Sequence, residues 1–276
     1  MTYENFELLN ITSESGIAVV TIDHPPINLF DLELISEMDR AGRELETDDD
    51  VRVVVVESAN PDFFIAHADV GFIQTLPEEP PDKPTELNFF QQMVDRFRTM
   101  PKATIAKIEG IARGGGSELV LSMDMRFAAI GQAVLSQPEV ALGIIPGGGG
   151  TQRLPRLMGH GRALEVVLGC GDFDAETAEH YGYINRALAP EEIDSFVFGL
   201  ARRIASFPAH AIAAAKLSVS AAATDPLAGL LEESDAFNHA VAHPAARRRM
   251  QEFLDKGGQT AEIERANLAD LFRRLT

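Results

Sequence analysis

The order of strand-like and helix-like segments constrains the fold of this 276-residue chain more than any other feature. Strand and helix patterns alternate over roughly the first 190 residues, and the chain from residue 191 onward has an almost entirely helical pattern that is rich in alanine. Mixed strands and helices followed by helices alone are typical of an α/β core with a C-terminal helical section. The sequence contains no short repeat and no low-complexity linker that would require a second independent domain.

Five segments have the composition of strands, and two have the composition of loops. The predicted strands are short runs rich in β-branched and other apolar residues, at residues 16–23, 51–56, 103–109, 125–129 and 184–188. Residues 59–70 are expected to form a loop. Residues 75–85 contain four prolines and several acidic residues, which favours a solvated surface connection over an active-site lid.

Capping residues and glycine turns mark where helices begin. Asp31 and Thr85 are predicted to cap helices that run to about residues 46 and 100. Asp174 is predicted to cap a helix over residues 175–180. One glycine-rich turn precedes a short helix that carries Glu118, and a second leads into a helix that starts near Thr151.

Charge and cysteine content narrow the classes of function. A net charge of -18 argues against nucleic acid as a partner, although a small anionic ligand can still be held by a few local cations or backbone N–H groups. The single cysteine, Cys170, excludes an intrachain disulfide and a thiolate metal cluster, and the histidines lack HExxH spacing. We therefore expect no metal and a cytoplasmic location. The N-terminal segment lacks the features of a signal peptide, and no apolar stretch is long enough to span a bilayer, so no membrane partner is expected.

Two glutamates lie in apolar, glycine-rich surroundings. Glu118 follows three glycines in GGGSELVL, and Glu139 lies in SQPEVALG. A carboxylate is costly to bury unless it is paired, hydrogen-bonded or protonated. Two carboxyl groups that face one pocket can serve as acid and base, and glycine allows backbone N–H groups to approach a ligand closely. This combination suggests an enzyme that stabilises an enolate.

Further motifs surround this pair in a consistent order. They are residues 51–56 (VRVVVV), 63–70 (FFIAHADV), 105–110 (IAKIEG), 114–119 (GGGSEL), 124–126 (DMR), 137–140 (QPEV), 142–147 (LGIIPG) and 149–154 (GGTQRL). Through them, roughly residues 5–220 closely resemble the enoyl-CoA hydratase/isomerase family, also called the crotonase family. A single glycine motif would be weak evidence, whereas several distinct motifs in the family's order are strong evidence.

The resemblance implies a fold, an assembly and a substrate. The implied fold is α/β, a crotonase-like spiral of ββα units over residues 1–205, with a C-terminal helical section for trimerisation and capping over residues 206–276. The implied assembly is a homotrimer or a dimer of trimers. The implied substrate is an acyl-CoA thioester, so coenzyme A is part of the substrate and no separate cofactor is expected.

The resemblance also implies the roles of individual residues. The backbone N–H groups of Ala68 and Gly115 would form an oxyanion hole for the thioester oxygen, each donor lowering the barrier by about 3–4 kcal/mol. Glu118 would activate water for attack at C3, and Glu139 would deliver a proton at C2. Because these glutamates are 21 positions apart, the fold must bring them together. The backbone of Gly147 would help to place the water. The other implied substrate or CoA contacts are Ala66, His67, Asp69, Val70, Gly114 and Pro146.

Some of these positions have plainer explanations. Two exposed carboxylates are the alternative for Glu118 and Glu139, but their motifs favour catalysis. A tight turn at residues 114–116 is compatible with the functional role. Residues 147–150 lack the GK[ST] ending of a phosphate-binding loop, so a turn that shapes the acyl pocket and starts a helix is preferred.

Basic residues at three places depart from the family pattern. His67 replaces a common glycine and either lines the CoA entrance, where it could contact the phosphates, or points outward. Arg113 either pairs with an acid or a CoA phosphate or lies on the surface. Residues 247–249 are three consecutive arginines, for which a solvated face or ion pairs are favoured over a CoA phosphate site.

The leading hypothesis is a 2-enoyl-CoA hydratase, because both glutamates are present. One alternative is another crotonase reaction such as double-bond isomerisation, which family members can catalyse with one acid at the position of Glu139. A second alternative is a non-catalytic acyl-CoA-binding protein with the same fold. A serine hydrolase is disfavoured because no Ser-His-Asp set can be assigned.

Overall fold

Two β-sheets form the centre of the molecule. The structure, a computed structural model, describes residues 3–79, 81–221, 227–265, 268–272 and 275. The strands are β1 (Leu9–Glu14), β2 (Ile17–Ile22), β3 (Val53–Ser58), β4 (Phe63–Ile65), β5 (Ala103–Ile108), β6 (Ile111–Arg113), β7 (Met125–Ala129), β8 (Val134–Ser136), β9 (Phe173–Asp174) and β10 (Arg186–Leu188). Among these residues the larger sheet has the order β1-β2-β3-β5-β7-β10 and the smaller sheet the order β4-β6-β8-β9.

Helices follow the strands and then dominate the C-terminal section. They are α1 (Leu32–Thr47), α2 (Val70–Gln74), α3 (Phe89–Thr99), α4 (Gly115–Ser122), a 3-10 turn (Glu139–Leu142), α5 (Gly150–Met158), α6 (His160–Gly169), α7 (Ala175–Tyr181), α8 (Pro190–Ala205), α9 (Ala209–Ala221), α10 (Leu227–Ala242), α11 (Pro244–Asp255), α12 (Ala261–Arg265) and α13 (Leu268–Phe272). None of the described helices is both long and apolar enough to cross a membrane.

The connectivity repeats one pattern. A strand of the larger sheet is followed by a strand of the smaller sheet and then by helical structure, in β3-β4-α2, β5-β6-α4 and β7-β8 with the 3-10 turn. Strands β2, β3, β5, β7 and β10 pair in parallel, as do β4, β6 and β8, whereas β1 and β9 pair antiparallel at the sheet edges. This arrangement confirms the predicted spiral of ββα units.

Alternation along β3 explains how helices cover both faces of the larger sheet. Val54 and Val56 belong to the cluster that also contains residues of α1 and α3, whereas Val53 and Val55 pack with residues of α8. Successive strand side chains point to opposite faces, so a continuous apolar run is what a strand covered on both sides requires. The prediction of a buried strand from this β-branched run is therefore confirmed.

Helix caps test the predicted helix starts. The side chain of Asp31 accepts from Leu34 N at 2.9 Å, and that of Asp174 caps α7, so both predictions are confirmed. The prediction for Thr85 is wrong, because α3 begins after Asn88. Asn88 accepts from Gln91 N at 2.8 Å, and the Gln91 side chain accepts from Asn88 N in return. This reciprocal capping box satisfies two helix-start donors, which Thr85 is too far away to do.

Short strands are the other difference from the predictions. Residues 59–70 are not a plain loop, because they contain β4 and the start of α2. Strands β1, β6, β8 and β9 were also not predicted. Residues 75–79 and 81–85 contain no helix or strand, as expected for that segment. The boundary between residues 205 and 206, where α8 ends, stays a prediction.

Candidate active site

An apolar cavity of about 350 Å³ lies between the ββα core and the C-terminal helices. The start of α4 and the 3-10 turn form one side, and residues of α10, α11 and α13 form another. The aromatic residues that line it are Phe30, Phe72, Phe89, Phe90, Phe237, Phe253 and Phe272. Glu118, Glu139 and Asp69 bring carboxyl groups to this apolar wall. An apolar cavity with a few convergent polar groups is the usual form of a small-molecule site.

Ala68 and Gly115 lie side by side at the cavity wall. Phe30 pairs with the segment around Ala68, donating to His67 O at 2.9 Å and accepting from Asp69 N at 3.1 Å. This pairing leaves the N–H of Ala68 directed away from Phe30. Gly115 is the first residue of α4, so its N–H has no intrahelical acceptor. A Cβ added to Gly115 would lie 3.6 Å from Ala68 N, which shows how closely the two backbones approach.

Glu118 is a buried carboxylate held by backbone N–H groups. Its Oε1 atom accepts from Gly148 N at 2.7 Å and from Gly150 N at 2.8 Å. Burial raises the pKa of Glu118 to about 7, although these donors and the Arg153 guanidinium favour the anion. A Cβ on Gly148 would lie 2.7 Å from Glu118 Oε2, so the glycine permits this close approach.

Glu139 is a buried carboxyl group whose anion is less well stabilised than that of Glu118. Burial raises its pKa well above the ordinary value, and the charges of Glu118 and Glu233 add to the effect. In the amide orientation that satisfies both of its neighbours, Gln137 donates to both Glu139 oxygens at 3.2 Å and accepts from Ser117 Oγ at 3.1 Å. The site thus holds two carboxyl groups of unequal acidity, of which Glu118 ionises more readily than Glu139.

Gly114 allows Glu139 to reach the wall beside Gly115. Its φ of 49° lies in the region that favours glycine, and an added Cβ would lie 2.9 Å from Glu139 Oε1. The glycines that the sequence singled out thus bring the backbone close to both glutamates.

A third glutamate is buried close to Glu118 and Glu139. Glu233 on α10 is 3% exposed and accepts from Thr151 N at 3.0 Å and from the Thr151 hydroxyl. Its Oε1 atom has no hydrogen-bond partner within the described residues. Burial and the charge of Glu118 raise the pKa of Glu233 to about 8. Sequence patterns do not reveal this residue, because its burial depends on how α10 packs against α5.

Most of the predicted site residues line this one cavity. They are Ala68, Gly115, Glu118, Glu139, His67, Asp69, Val70, Gly114 and Gly147. Ala66 and Pro146 are not among the described residues that line it. Ala66 packs in a cluster with Ile27 and Phe63, and Pro146 is buried against the turn that leads to Gly150. Both residues are buried.

Two of the three basic departures from the family pattern, His67 and Arg113, are buried. The outward-pointing alternative for His67 is wrong, because the residue is 5% exposed. Its Nδ1 atom lies 2.8 Å from Ala68 O, and Nε2 lies 3.0 Å from Glu264 Oε1. The surface alternative for Arg113 is also wrong, since this 1%-exposed side chain donates twice to Asp172, at 2.8 and 2.7 Å.

Two of the three arginines at 247–249 donate hydrogen bonds to backbone oxygens, so the run is not a uniformly solvated face. Arg247 donates to Gln74 O at 3.0 Å and Leu76 O at 2.7 Å. Arg249 donates to Ala141 O at 2.7 Å, whereas Arg248 is exposed. These bonds tie α11 to α2 and to the 3-10 turn, both of which carry cavity residues.

Comparisons with known proteins agree with this geometry. The chain is 34% identical to the crotonyl-CoA hydratase of Syntrophomonas wolfei, over 93% of this chain and 97% of that protein. It is 32% identical to the short-chain-enoyl-CoA hydratase of Clostridium acetobutylicum, over 91% of this chain and 96% of that protein.

A solved structure is similar over nearly the whole length. It is that of a protein from Streptomyces avermitilis proposed to be an enoyl-CoA hydratase, with a TM-score of 0.91 at 43% identity over 98% of this chain and 99% of that chain. The family model for enoyl-CoA hydratase/isomerase matches residues 12–261. The chain therefore belongs to the enoyl-CoA hydratase/isomerase family.

Proposed function

We propose that this protein is a 2-enoyl-CoA hydratase that adds water across the C2–C3 double bond of an acyl-CoA thioester. The observation that carries the proposal is the convergence of two buried carboxyl groups of different acidity, Glu118 and Glu139, on one apolar cavity beside Ala68 and Gly115. The names of the similar hydratases support the same activity.

In the proposed reaction, the water oxygen bonds to C3 while Glu118 accepts a proton from that water. Electrons of the double bond move toward the thioester. As the enolate forms, its oxygen accepts hydrogen bonds from the N–H groups of Ala68 and Gly115. Glu139 then gives its proton to C2, which leaves Glu139 ionised and Glu118 protonated. Proton exchange between these groups and solvent restores the starting state, so the reaction requires no cofactor besides the CoA of the substrate.

The test is turnover of short- and medium-chain trans-2-enoyl-CoA thioesters by the purified protein. Hydration removes the conjugated double bond, so the reaction is followed by the loss of ultraviolet absorbance, with the 3-hydroxyacyl-CoA product identified by mass spectrometry. We expect activity to survive dialysis against a chelator. Absence of hydration at every chain length would refute the proposal.

Two isosteric variants separate hydration from isomerisation. Glu118→Gln and Glu139→Gln should each lower kcat for hydration by at least about 100-fold with a smaller change in KM, since each removes one proton-transfer group. An isomerase needs only the acid at Glu139. Retention of activity on a 3-enoyl-CoA by Glu118→Gln would therefore favour isomerisation, and thioester binding without turnover of any enoyl-CoA would favour a non-catalytic binding protein.

We further propose that the protein is a cytoplasmic homotrimer or dimer of trimers. Helix α9 supports a subunit interface, because Leu217 and Val219 on it are 73% and 75% exposed. The single cysteine supports a reducing compartment. Analytical ultracentrifugation should give three or six times the mass of one chain, and Leu217→Glu should lower that mass.

A further inference from the structure

Glu264 is a completely buried carboxylate outside the proposed catalytic pair. It lies on α12 with 0% exposure, and its Oε1 atom accepts from Gln259 N at 2.8 Å and contacts His67 Nε2 at 3.0 Å. Its Oε2 atom lies 3.5 Å from Arg113 Nη1, and the same nitrogen donates to the Glu264 backbone oxygen at 2.8 Å. A buried charge is retained only where such partners compensate the loss of solvent.

Two partners of Glu264, His67 and Arg113, belong to the two segments that carry Ala68 and Gly115. His67 directly precedes Ala68, and its ring contacts Ala68 O through Nδ1 at 2.8 Å. Arg113 ends β6, with Gly114 as the single residue between it and Gly115. One carboxylate on a C-terminal helix thus joins the segment after β4 to the segment after β6.

The charges around Glu264 match this arrangement. Burial alone would lower the pKa of His67, but the Glu264 carboxylate and the Ala68 carbonyl together raise it. Burial alone would raise the pKa of Glu264, yet His67 and Arg113 hold it below the ordinary value. Asp172, an exposed residue, pairs with Arg113 on its other side, so the two cations of the cluster face two carboxylates. An imidazolium donates from both ring nitrogens, which matches its two acceptors, Ala68 O and Glu264 Oε1.

We propose that Glu264 is a positioning residue, whose bonds to His67 and Arg113 set the separation of the Ala68 and Gly115 N–H groups. This inference rests on the proposed role of those N–H groups as oxyanion donors. Donors that miss the developing charge by about 1 Å can cost about 100-fold in rate. Loss of Glu264 therefore lowers kcat more than it raises KM, because enolate stabilisation depends on donor geometry more than thioester binding does.

The experiment compares Glu264→Ala and Glu264→Gln with Arg265→Gln. Arg265 is the next residue on α12 and pairs with Asp62 at 2.7 Å, before β4 rather than in the segments that follow β4 and β6, which makes it a matched control. Each variant is checked for folding by thermal unfolding, and kcat and KM are measured for hydration. A saturated acyl-CoA with ¹³C at the thioester carbonyl is then bound, and its carbonyl stretching frequency is recorded, because this frequency falls as the oxygen is polarised.

We expect the bound carbonyl frequency to be lowered in the wild type and in Arg265→Gln, and largely restored to its solution value in Glu264→Ala. The alanine variant should lose roughly 10- to 100-fold in kcat. The glutamine variant keeps an acceptor for His67 and Gln259 N but lacks the charge, so it should recover part of the loss and stays informative if the alanine variant does not fold.

Unchanged kcat and carbonyl frequency in the folded Glu264 variants would overturn the inference. An equal loss of kcat in the Arg265 control, with an unchanged frequency, would reduce Glu264 to a structural role and also overturn it. If the wild type hydrates no enoyl-CoA, the proposed function fails. The carbonyl frequency of the saturated thioester still tests the positioning role in that case, so the two failures are distinguishable.

Discussion

Replacing Gly148 by alanine should change the pH dependence of the reaction by a calculable amount. The N–H of Gly148 donates to Glu118 Oε1 at 2.7 Å, and an added Cβ would lie 2.2 Å from Phe90 Cε1 and 2.7 Å from Glu118 Oε2. Either the backbone or the Glu118 carboxylate must therefore move, and in both cases we expect the bond to be lost. A hydrogen bond to a charged acceptor contributes about 1.5–3 kcal/mol, and each pKa unit corresponds to about 1.4 kcal/mol.

The loss should raise the pKa of Glu118 by about 1–2 units, because only the anion loses a strong acceptor bond. The wild-type pKa is about 7, so about half of the Glu118 groups are ionised at pH 7. A higher pKa protonates the proposed base at that pH, so kcat/KM at pH 7 should fall by about 5- to 50-fold from ionisation alone. The acid limb of the pH profile should move to higher pH by about 1–2 units.

The assay is enoyl-CoA hydration measured from about pH 5 to 10. Gly199→Ala is the control, because Gly199 lies within α8 and a Cβ there meets no atom within 4 Å. Its acid limb should match that of the wild type. If folded Gly148→Ala kept the wild-type acid limb, the glycine N–H groups would not control the ionisation of Glu118, and the argument would be refuted.

Two further predictions concern stability. In the folded protein the pKa of Glu233 is raised to about 8, so the unfolded chain loses this proton at lower pH than the folded protein does. The free energy of unfolding should therefore decrease between about pH 4.5 and pH 8. Glu233→Gln should make this decrease smaller. An unchanged pH slope in chemical denaturation would contradict this. Asn28→Ala should lower that free energy by about 2–4 kcal/mol. Asn28 is fully buried and donates to Ser58 Oγ, Phe63 O and Phe64 O, whereas exposed Asn10→Ala should have little effect.

The strands with the longest apolar runs were the clearest to predict. Residues 51–56 and 103–109 were recognisable because each holds enough apolar residues to show a strand covered on both faces. Strands β4, β6 and β8 have three residues each, too few to establish a period. Their strand conformation comes from pairing with one another, which no local pattern encodes.

Residues of the site that lie in distinctive sequence motifs were predictable. Residues that are buried only through tertiary packing were not. Glu118 and Glu139 lie in distinctive motifs, and both line the cavity. Glu233 and Glu264 look like ordinary helix-surface acids in sequence, yet both are buried. Glu264 contacts His67 across 197 positions, so only the packed C-terminal helices reveal the pair.

The fold gives two identical carboxyl groups different preferences for the proton. Glu118 receives two backbone N–H groups and the field of the Arg153 guanidinium, all of which favour its anion. Glu139 is buried in the field of Glu118 and Glu233, so its own ionisation is opposed twice over. Ionisation of one member of the pair therefore raises the pKa of the other, which keeps its proton. Hydration by the proposed route needs this order, an anionic base at Glu118 and a neutral acid at Glu139, and the glycine turn ahead of α5 selects which glutamate takes which role.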